Sequence, residues 1–364
     1  MSKKLTYDRY IFGSAMLIIV VGLVMIYSAS AILAVQKLGS GSPYHFLVKQ
    51  CLFLLVGSAA MFVMMHVDVE LMKDRRVVFG LMAMICLALL LVLFQPPINN
   101  ARRWFVLPMA MIQPSELAKP ILIIFLAWQL SNKEERINEL TSTLLPIVAL
   151  LAIPIGLILL QPDFGTAATI GFVAACLLFV SGLHWKRVFW FSVILVPTAM
   201  VILLSADYRR ERLLSFINPG ADPEGSGWQV MQSLIALGTG GVEGLGVGNG
   251  RQKLFFLPEP HTDFIFAIIG EEFGFIGACF LLLLFACLAW RGTRIAWRTN
   301  DRFVFYAALG FTLMIGVQGL VNISVALSLL PTKGIPLPLV SYGGSSLVTS
   351  LMGIGVLLNF SQHS

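Results

Sequence analysis

Charge is what this sequence has least of. Asp, Glu, Lys and Arg together make up 12% of its 364 residues, about half of what a soluble globular domain carries. A water-soluble fold is therefore excluded, and there is no room for a large soluble domain. Cysteine is sparse as well. Cys51, Cys86, Cys176, Cys279 and Cys287 all lie inside apolar runs without metal-ligand spacing, so neither a zinc site nor a disulfide framework is indicated and the thiols read as small hydrophobes. No small-residue cleavage site stands out after the first apolar run, which reads as a span rather than a removable signal peptide. The glycine-rich stretch 238–250 is followed by no Gly-Lys-Ser/Thr and does not match G-x-G-x-x-G, so no nucleotide site is expected. No internal repeat is evident, which weighs against a transporter. The formal net charge of +6 does not point to nucleic acid, because the basic residues are spread over short loops as membrane topology requires.

What fills the chain is apolar sequence: 57% of residues are hydrophobic and the mean hydropathy is +0.85. The apolar runs are continuous and reach about 20 residues, which suits helices rather than the alternating strands of a barrel. The expected fold is an all-α integral membrane protein, one polytopic domain over 1–364 with about ten transmembrane helices. The spans read as 12–33, 46–67, 77–94, 113–130, 144–160, 166–183, 188–204, 263–290, 303–329 and 346–360. Lys/Arg bias orients them. With the N-terminus cytoplasmic, the inner segments hold Lys3, Lys4, Arg9, Lys73, Arg75, Arg76, Lys133, Arg136, Lys186, Arg187, Arg291, Arg294, Arg298 and Arg302, against Lys37, Arg102, Arg103 and Lys333 in short outer loops. Both termini are then cytoplasmic. A long extracytoplasmic loop, 206–262, joins helices seven and eight. Its apolar content predicts short, partly membrane-dipping helices, with the glycines packing loop on helix.

On this threading the polar, Gly- and Pro-rich patches share the outer face, so a site is expected there. Glu116 and Lys119 are three residues apart on one helix face, close enough to pair, and charge within a span is costly. They are either a structural ion pair or part of a polar cavity in which Lys119 attracts an anion. Asp263 begins a span, where near a helix start it can cap backbone N–H groups or act as a general base. Glu271 and Glu272 lie deeper and suit packing or catalysis equally. Asp163, after Gln161-Pro162, reads first as a turn. The outer arginines and lysines (Arg102, Arg103, Arg209, Arg210, Arg212, Arg251, Lys253, Lys333) run against the positive-inside bias and call for lipid phosphate or a diphosphate substrate. Lys333 and the Ser341-Tyr342-Gly-Gly-Ser345-Ser346 run add further donors.

In these stretches the chain resembles the SEDS (shape, elongation, division and sporulation) family of FtsW/RodA-type peptidoglycan glycosyltransferases. The matching residues are Ala101-Arg-Arg-Trp104, Gln113-Pro-Ser-Glu-Leu-Ala-Lys119, Gln161-Pro-Asp163, Pro258-Glu-Pro-His-Thr-Asp-Phe-Ile-Phe-Ala267 with Gly270-Glu-Glu272, and Gly334-Ile-Pro-Leu-Pro-Leu-Val-Ser-Tyr-Gly-Gly-Ser-Ser346. They stand in family order over nearly the whole chain. Gly250-Arg-Gln-Lys-Leu254 and Leu330-Pro-Thr-Lys-Gly334 are closer to the division branch, FtsW, than to the elongation branch. The resemblance implies polymerisation of lipid II on the outer face of the cytoplasmic membrane, with inversion to a β-1,4 link and Asp263 as general base. It implies a substrate site drawn from Glu116, Lys119, Arg102, Trp104, Asp163, Arg251, Lys253, His261, Thr262, Glu272, Lys333, Ser341, Tyr342 and Ser345. Lys119, Arg102, Arg251 and Lys253 would meet the leaving diphosphate. A divalent cation (Mg or Mn) could assist, though no ligand set is visible. The implied partners are lipid II, membrane lipids, a class B penicillin-binding protein transpeptidase and other proteins of the division or elongation machinery. Two other classes stay open: a lipid II flippase, which would need a polar route through the bilayer, and a scaffold without chemistry.

Overall fold

The computed structural model describes residues 7–37, 42–98, 101–107, 111–204, 207–217, 226–254, 256–332 and 334–362. Among the described residues the regular structure is helical apart from an isolated bridge between Ile98 and Ala101 and a hairpin of two-residue strands, β1 (Phe105–Val106) and β2 (Met111–Ile112). In chain order the helices are α1 (Arg9–Lys37), α2 (His45–His66), α3 (Val69–Lys73), α4 (Arg75–Val92), α5 (Pro114–Lys133), α6 (Leu145–Leu160), α7 (Phe164–Val180), α8 (Trp185–Leu204), α9 (Asp207–Ile217), α10 (Ser226–Gly240), α11 (Ile265–Arg298), α12 (Arg302–Ala326) and α13 (Gly344–Ser361). Among the described residues seven helices are long and apolar enough to cross a membrane: α1, α2, α4, Leu140–Leu160 including α6, α11, α12 and α13. The three other expected spans coincide with α5, whose first turns carry Glu116 and Lys119, with the shorter apolar α7, and with α8. The protein is a multi-pass helical membrane protein.

Alpha5 and α12 form the centre. Both are buried on nearly every side. Helices α4, α7, α11 and α13 pack against this pair, and α1 and α2 pack against α11 and α13. The long loop between α8 and α11 is helical in part, since α9 and α10 occupy much of it. The α11 helix starts at Ile265, two residues later than read from sequence, and runs on to Arg298.

Two glycine approaches position the site. Gly274 lies inside α11 with φ 64° and breaks the helix into two segments, a conformation that disfavours side chains. The glycine-rich loop fills the break: the backbone N–H of Leu245 and Gly246 donate to the carbonyls of Glu271 and Glu272, each at 3.0 Å. On α1, a Cβ added to Gly22 would stand 2.8 Å from the Val340 Cα, so only glycine lets the chain before α13 press onto α1.

Candidate active site

Five sequence-distant patches meet at one end of the bundle. The segments before α11 and before α13 are clamped face to face. The Ser341 hydroxyl donates to the Thr262 carbonyl at 2.6 Å and accepts from the Leu337 N–H at 2.8 Å. The Tyr342 N–H donates to the His261 carbonyl at 2.9 Å. The buried Gln50 of α2 donates to the Ser341 carbonyl at 3.3 Å. From below, the buried Asn322 of α12 donates to the carbonyls of Asp263 (2.9 Å) and Ile335 (2.8 Å). One turn earlier, Gln318 donates to the Pro336 carbonyl at 3.0 Å. Backbone strain gathers here too, with Glu259 and Leu339 in the left-handed region at φ 50° and 65°.

Within this frame the Asp263 carboxylate is half-buried and accepts no hydrogen bond from the described residues. Phe264, not Asp263, occupies the N-cap of α11, and the helix has no side-chain cap there. A Cβ added at Gly334 would lie 3.4 Å from Asp263 Oδ2, so the carboxylate faces a glycine that leaves it room. Lost hydration pushes its pKa from 3.8 up to about 6; the Arg212 guanidinium pulls the other way, Glu259 adds to the rise and Arg103 opposes it. Arg212 is held by its Nη1 on the Thr332 carbonyl at 3.5 Å. Arg103 is held by Nε on the Gln161 carbonyl at 2.9 Å and by a second bond to the Pro162 carbonyl. The arrangement is a base, mostly ionised at neutral pH, in the electrostatic field of two arginines. It can take a proton while the arginines meet an anion.

The other predicted residues are distributed differently. Lys119 is buried and donates to Glu116 at 2.7 Å and to Gln318 at 2.9 Å, while Thr349 donates to Glu116 at 3.3 Å. The pair sits inside the bundle behind the 335–336 segment and ties α5, α12 and α13 together. Lys253, also buried, donates to Glu272 at 2.7 Å and to Ser28 at 2.9 Å, and Gly248 N–H donates to Glu272 at 3.0 Å. Glu271 accepts the N–H groups of Arg251 (2.7 Å) and Gln252 (3.2 Å). These carboxylates hold the glycine-rich loop in the α11 break, and the Arg251 side chain stays exposed.

Asp163 caps α7 through the Thr166 N–H at 3.2 Å and accepts from Ser115 and Gln113, each at 3.1 Å. Ser345 accepts from the Gln113 N–H at 3.0 Å and ties β2 to α13. Arg102 bonds the Leu93 carbonyl at the end of α4, at 3.0 Å, so of the adjacent arginines it is Arg103 that faces the site. Trp104 is half-buried just before β1. His261 is buried between Phe46 and Tyr342, with ring centroids 4.6 and 5.5 Å away. The Thr262 hydroxyl donates to the Glu259 carbonyl at 3.0 Å. Lys333 and the Arg209 side chain lie outside the described residues.

Sequence reading missed Asn322, Gln318 and Gln50. The signal was present for the first two: a pair of amides four residues apart in an otherwise apolar span, on one helix face. For a divalent cation the residues do not fit. Among the described residues no group of three or more His, Cys, Asp or Glu could hold a metal, and a Mg2+ or Mn2+ site is built from several oxygen ligands, whereas the charges acting on Asp263 include two arginines.

Fold and site together define a polytopic helical membrane protein whose polar machinery is gathered at one end of the bundle. A family model described as a cell cycle protein, covering FtsW, RodA and SpoVE, matches residues 8–364. A probable peptidoglycan glycosyltransferase FtsW of Geobacter metallireducens is 40% identical over 361 residues, spanning 98% of this chain and 95% of that protein. Stage V sporulation protein E of Bacillus subtilis is 40% identical over 367 residues, spanning 100% of this chain and 99% of that protein. Among solved structures, a chain from a peptidoglycan synthase complex, described for its coordination of polymerization and crosslinking, superposes with TM-score 0.79 at 31% identity, covering 98% of each chain. The rod shape determining protein RodA of Thermus thermophilus superposes with TM-score 0.72 at 29% identity, covering 98% of this chain and 97% of that one. The chain belongs to the FtsW/RodA/SpoVE family, the SEDS proteins.

Proposed function

We propose that the protein is a peptidoglycan glycosyltransferase that polymerises lipid II into glycan strands at the outer face of the cytoplasmic membrane, in septal wall synthesis. The observation that carries this reading is the uncapped Asp263 carboxylate with Arg103 and Arg212 in its field. The 4-hydroxyl of the acceptor GlcNAc attacks C1 of the donor MurNAc. Asp263 takes the hydroxyl proton, the C1–O4 bond forms, and the C1–oxygen bond to undecaprenyl diphosphate breaks with inversion. A base near pKa 6 remains ionised at neutral pH yet is a stronger proton acceptor than an ordinary aspartate. Charge growing on the departing diphosphate needs fixed cations. Arg103 and Arg212 supply them in this proposal, in place of Lys119 and Lys253, whose ammonium groups are already paired. Thr262 and Tyr342 flank the sugar headgroup.

The names of the relatives support the same activity, and the match to a synthase complex supports a class B penicillin-binding protein as partner. Basic-residue bias supports cytoplasmic termini with the site outside. The buried charges form two separate saturated clusters, which supports a polymerase over a flippase needing a continuous polar route.

The test is polymerisation of lipid II by the purified protein with its transpeptidase partner, wild type beside Asp263→Asn. Glycan from wild type and a loss of about 10²–10⁴-fold in a folded, partner-binding variant is the expected result. Equal polymer from both would remove Asp263 from the chemistry. Transfer of lipid II across liposomes with no polymer would favour the flippase.

A further inference from the structure

The end of the bundle opposite Asp263 carries a second polar construction that the proposed chemistry does not use. The first turn of α1, the last turns of α11 and Ser361 of α13 line an open cavity of roughly 360 Å³. We propose that it is a binding site for the phosphates of an anionic phospholipid headgroup, held by Arg9, Arg294 and Arg298.

The charges around the cavity do not cancel. Its one acid, Asp8, is saturated: Oδ1 accepts the Tyr10 and Ile11 N–H groups at 2.9 and 3.2 Å, and Oδ2 accepts Arg291 Nε at 2.9 Å and a second Arg291 bond. Asp8 thus caps α1 and neutralises Arg291, whose guanidinium also lies 4.9 Å from the Tyr10 ring centroid. Arg9, Arg294 and Arg298 line the same cavity, and no described carboxylate pairs with them. Arg291, Arg294 and Arg298 are spaced i, i+3, i+7 and so fall on one face of α11, where like charges repel. The helix dipole and the positive-inside bias explain basic residues at this end. They do not explain why those of α11 and α1 converge on one hollow, which an anion between them does.

The depth of the cavity selects a lipid. Trp290 and Trp297, on the same turns of α11, are 60% and 74% exposed, and Arg294 lies 5.8 Å from the Trp290 ring centroid. Outward tryptophans at a helix end mark the headgroup level of a bilayer, here the cytoplasmic leaflet on the orientation proposed above. Guanidinium forks bind phosphate oxygens in pairs, and three unpaired forks match a headgroup with two phosphodiesters better than one with a single phosphate. Cardiolipin is the fitting chemistry, with phosphatidylglycerol the weaker ligand. The cavity lies in the size range of small-ligand sites.

The full-length protein, purified in detergent, is titrated with cardiolipin, phosphatidylglycerol, phosphatidylethanolamine or inorganic pyrophosphate. Lipid retention is read by native mass spectrometry and stabilisation by thermal unfolding. Wild type is expected to retain cardiolipin over phosphatidylethanolamine and to unfold at a higher temperature with it. Arg294→Gln/Arg298→Gln is expected to weaken retention about thirtyfold, the effect of two basic residues at a membrane surface. Arg9→Gln, on a different helix, should weaken it in part and serves if the double variant does not fold. Arg76→Gln/Arg136→Gln removes the same charge from exposed positions elsewhere at this end and should change nothing. Equal loss in that control, or equal retention of the zwitterionic lipid by wild type, would overturn the site. Displacement of cardiolipin by equimolar pyrophosphate would overturn the lipid assignment in favour of a soluble anion.

Discussion

Asp263 and Glu272 are acids of the same chain segment, nine positions apart, and they are treated in opposite ways. Glu272 is fully buried and saturated by Lys253, Ser28 and the Gly248 N–H. Asp263 has a carbonyl anchored by Asn322 but a carboxylate without a hydrogen-bond partner among the described residues. A saturated buried acid fixes structure, and its charge is unavailable for anything else. An acid with a fixed backbone and an open carboxylate is positioned for chemistry. Partner count, and not burial or charge alone, separates the two.

The comparison breaks most visibly on the saturated side. Lys253→Met alone leaves Glu272 buried without its cation and should cost about 3–5 kcal/mol, seen as lost yield or a lower unfolding temperature. Lys253→Met with Glu272→Gln should recover most of it. The same exchange at Glu116→Gln/Lys119→Met sharpens the point: recovery of both folding and polymerisation would place Lys119 with the structural cations, whereas a folded but inactive double variant would return it to the diphosphate site.

On the open side, Asn322→Ala releases the backbone under Asp263. Misplacing a reacting group by about 1 Å costs on the order of 10²-fold in rate, so polymerisation should drop by about that much while the pH midpoint stays where Asp263 sets it. That midpoint is the next, smaller effect. The rate should fall as pH drops through about 6, and because both arginines lower the Asp263 pKa, Arg103→Gln and Arg212→Gln should each move the midpoint upward. The linked stability has the opposite trend. The folded pKa of about 6 lies above the unfolded 3.8, so this group's contribution to stability grows as pH falls from about 6 toward 3.8. Asp263→Asn should accordingly raise the unfolding temperature at neutral pH. The smallest effect belongs to Arg102→Gln, which loses an exposed bond to the end of α4, at most about 1.5 kcal/mol, and should leave polymerisation unchanged.

Much of this was legible before any coordinates, because polar residues in an apolar chain stand out and the patches containing Arg103, Gln113, Asp163, Asp263 and Ser341 do converge. Pairing was not legible. Glu116 and Lys119 have the spacing of an ion pair, yet Gln318 and Thr349, which complete their shell, come from α12 and α13. Asp263 before a helix reads as a cap until the helix is seen to start at Ile265 with Phe264 in the cap position. Arg102 and Arg103 are equivalent in sequence, and only the turn before β1 decides which one reaches Gln161. The glycine stretch reads as loop packing, but the break at Gly274 that receives it depends on a positive φ that no composition reveals.

The clamp at Ser341 and Tyr342 also sets a schedule. Its two halves are separated by all of α11 and α12, and Gln50 reaches it from α2, near the start of the chain. While the ribosome is still making α12, Asp263 has no opposite wall and Ser341 has yet to be polymerised. The clamp can therefore close only after the segment preceding α13 has been made and has folded back onto the earlier helices.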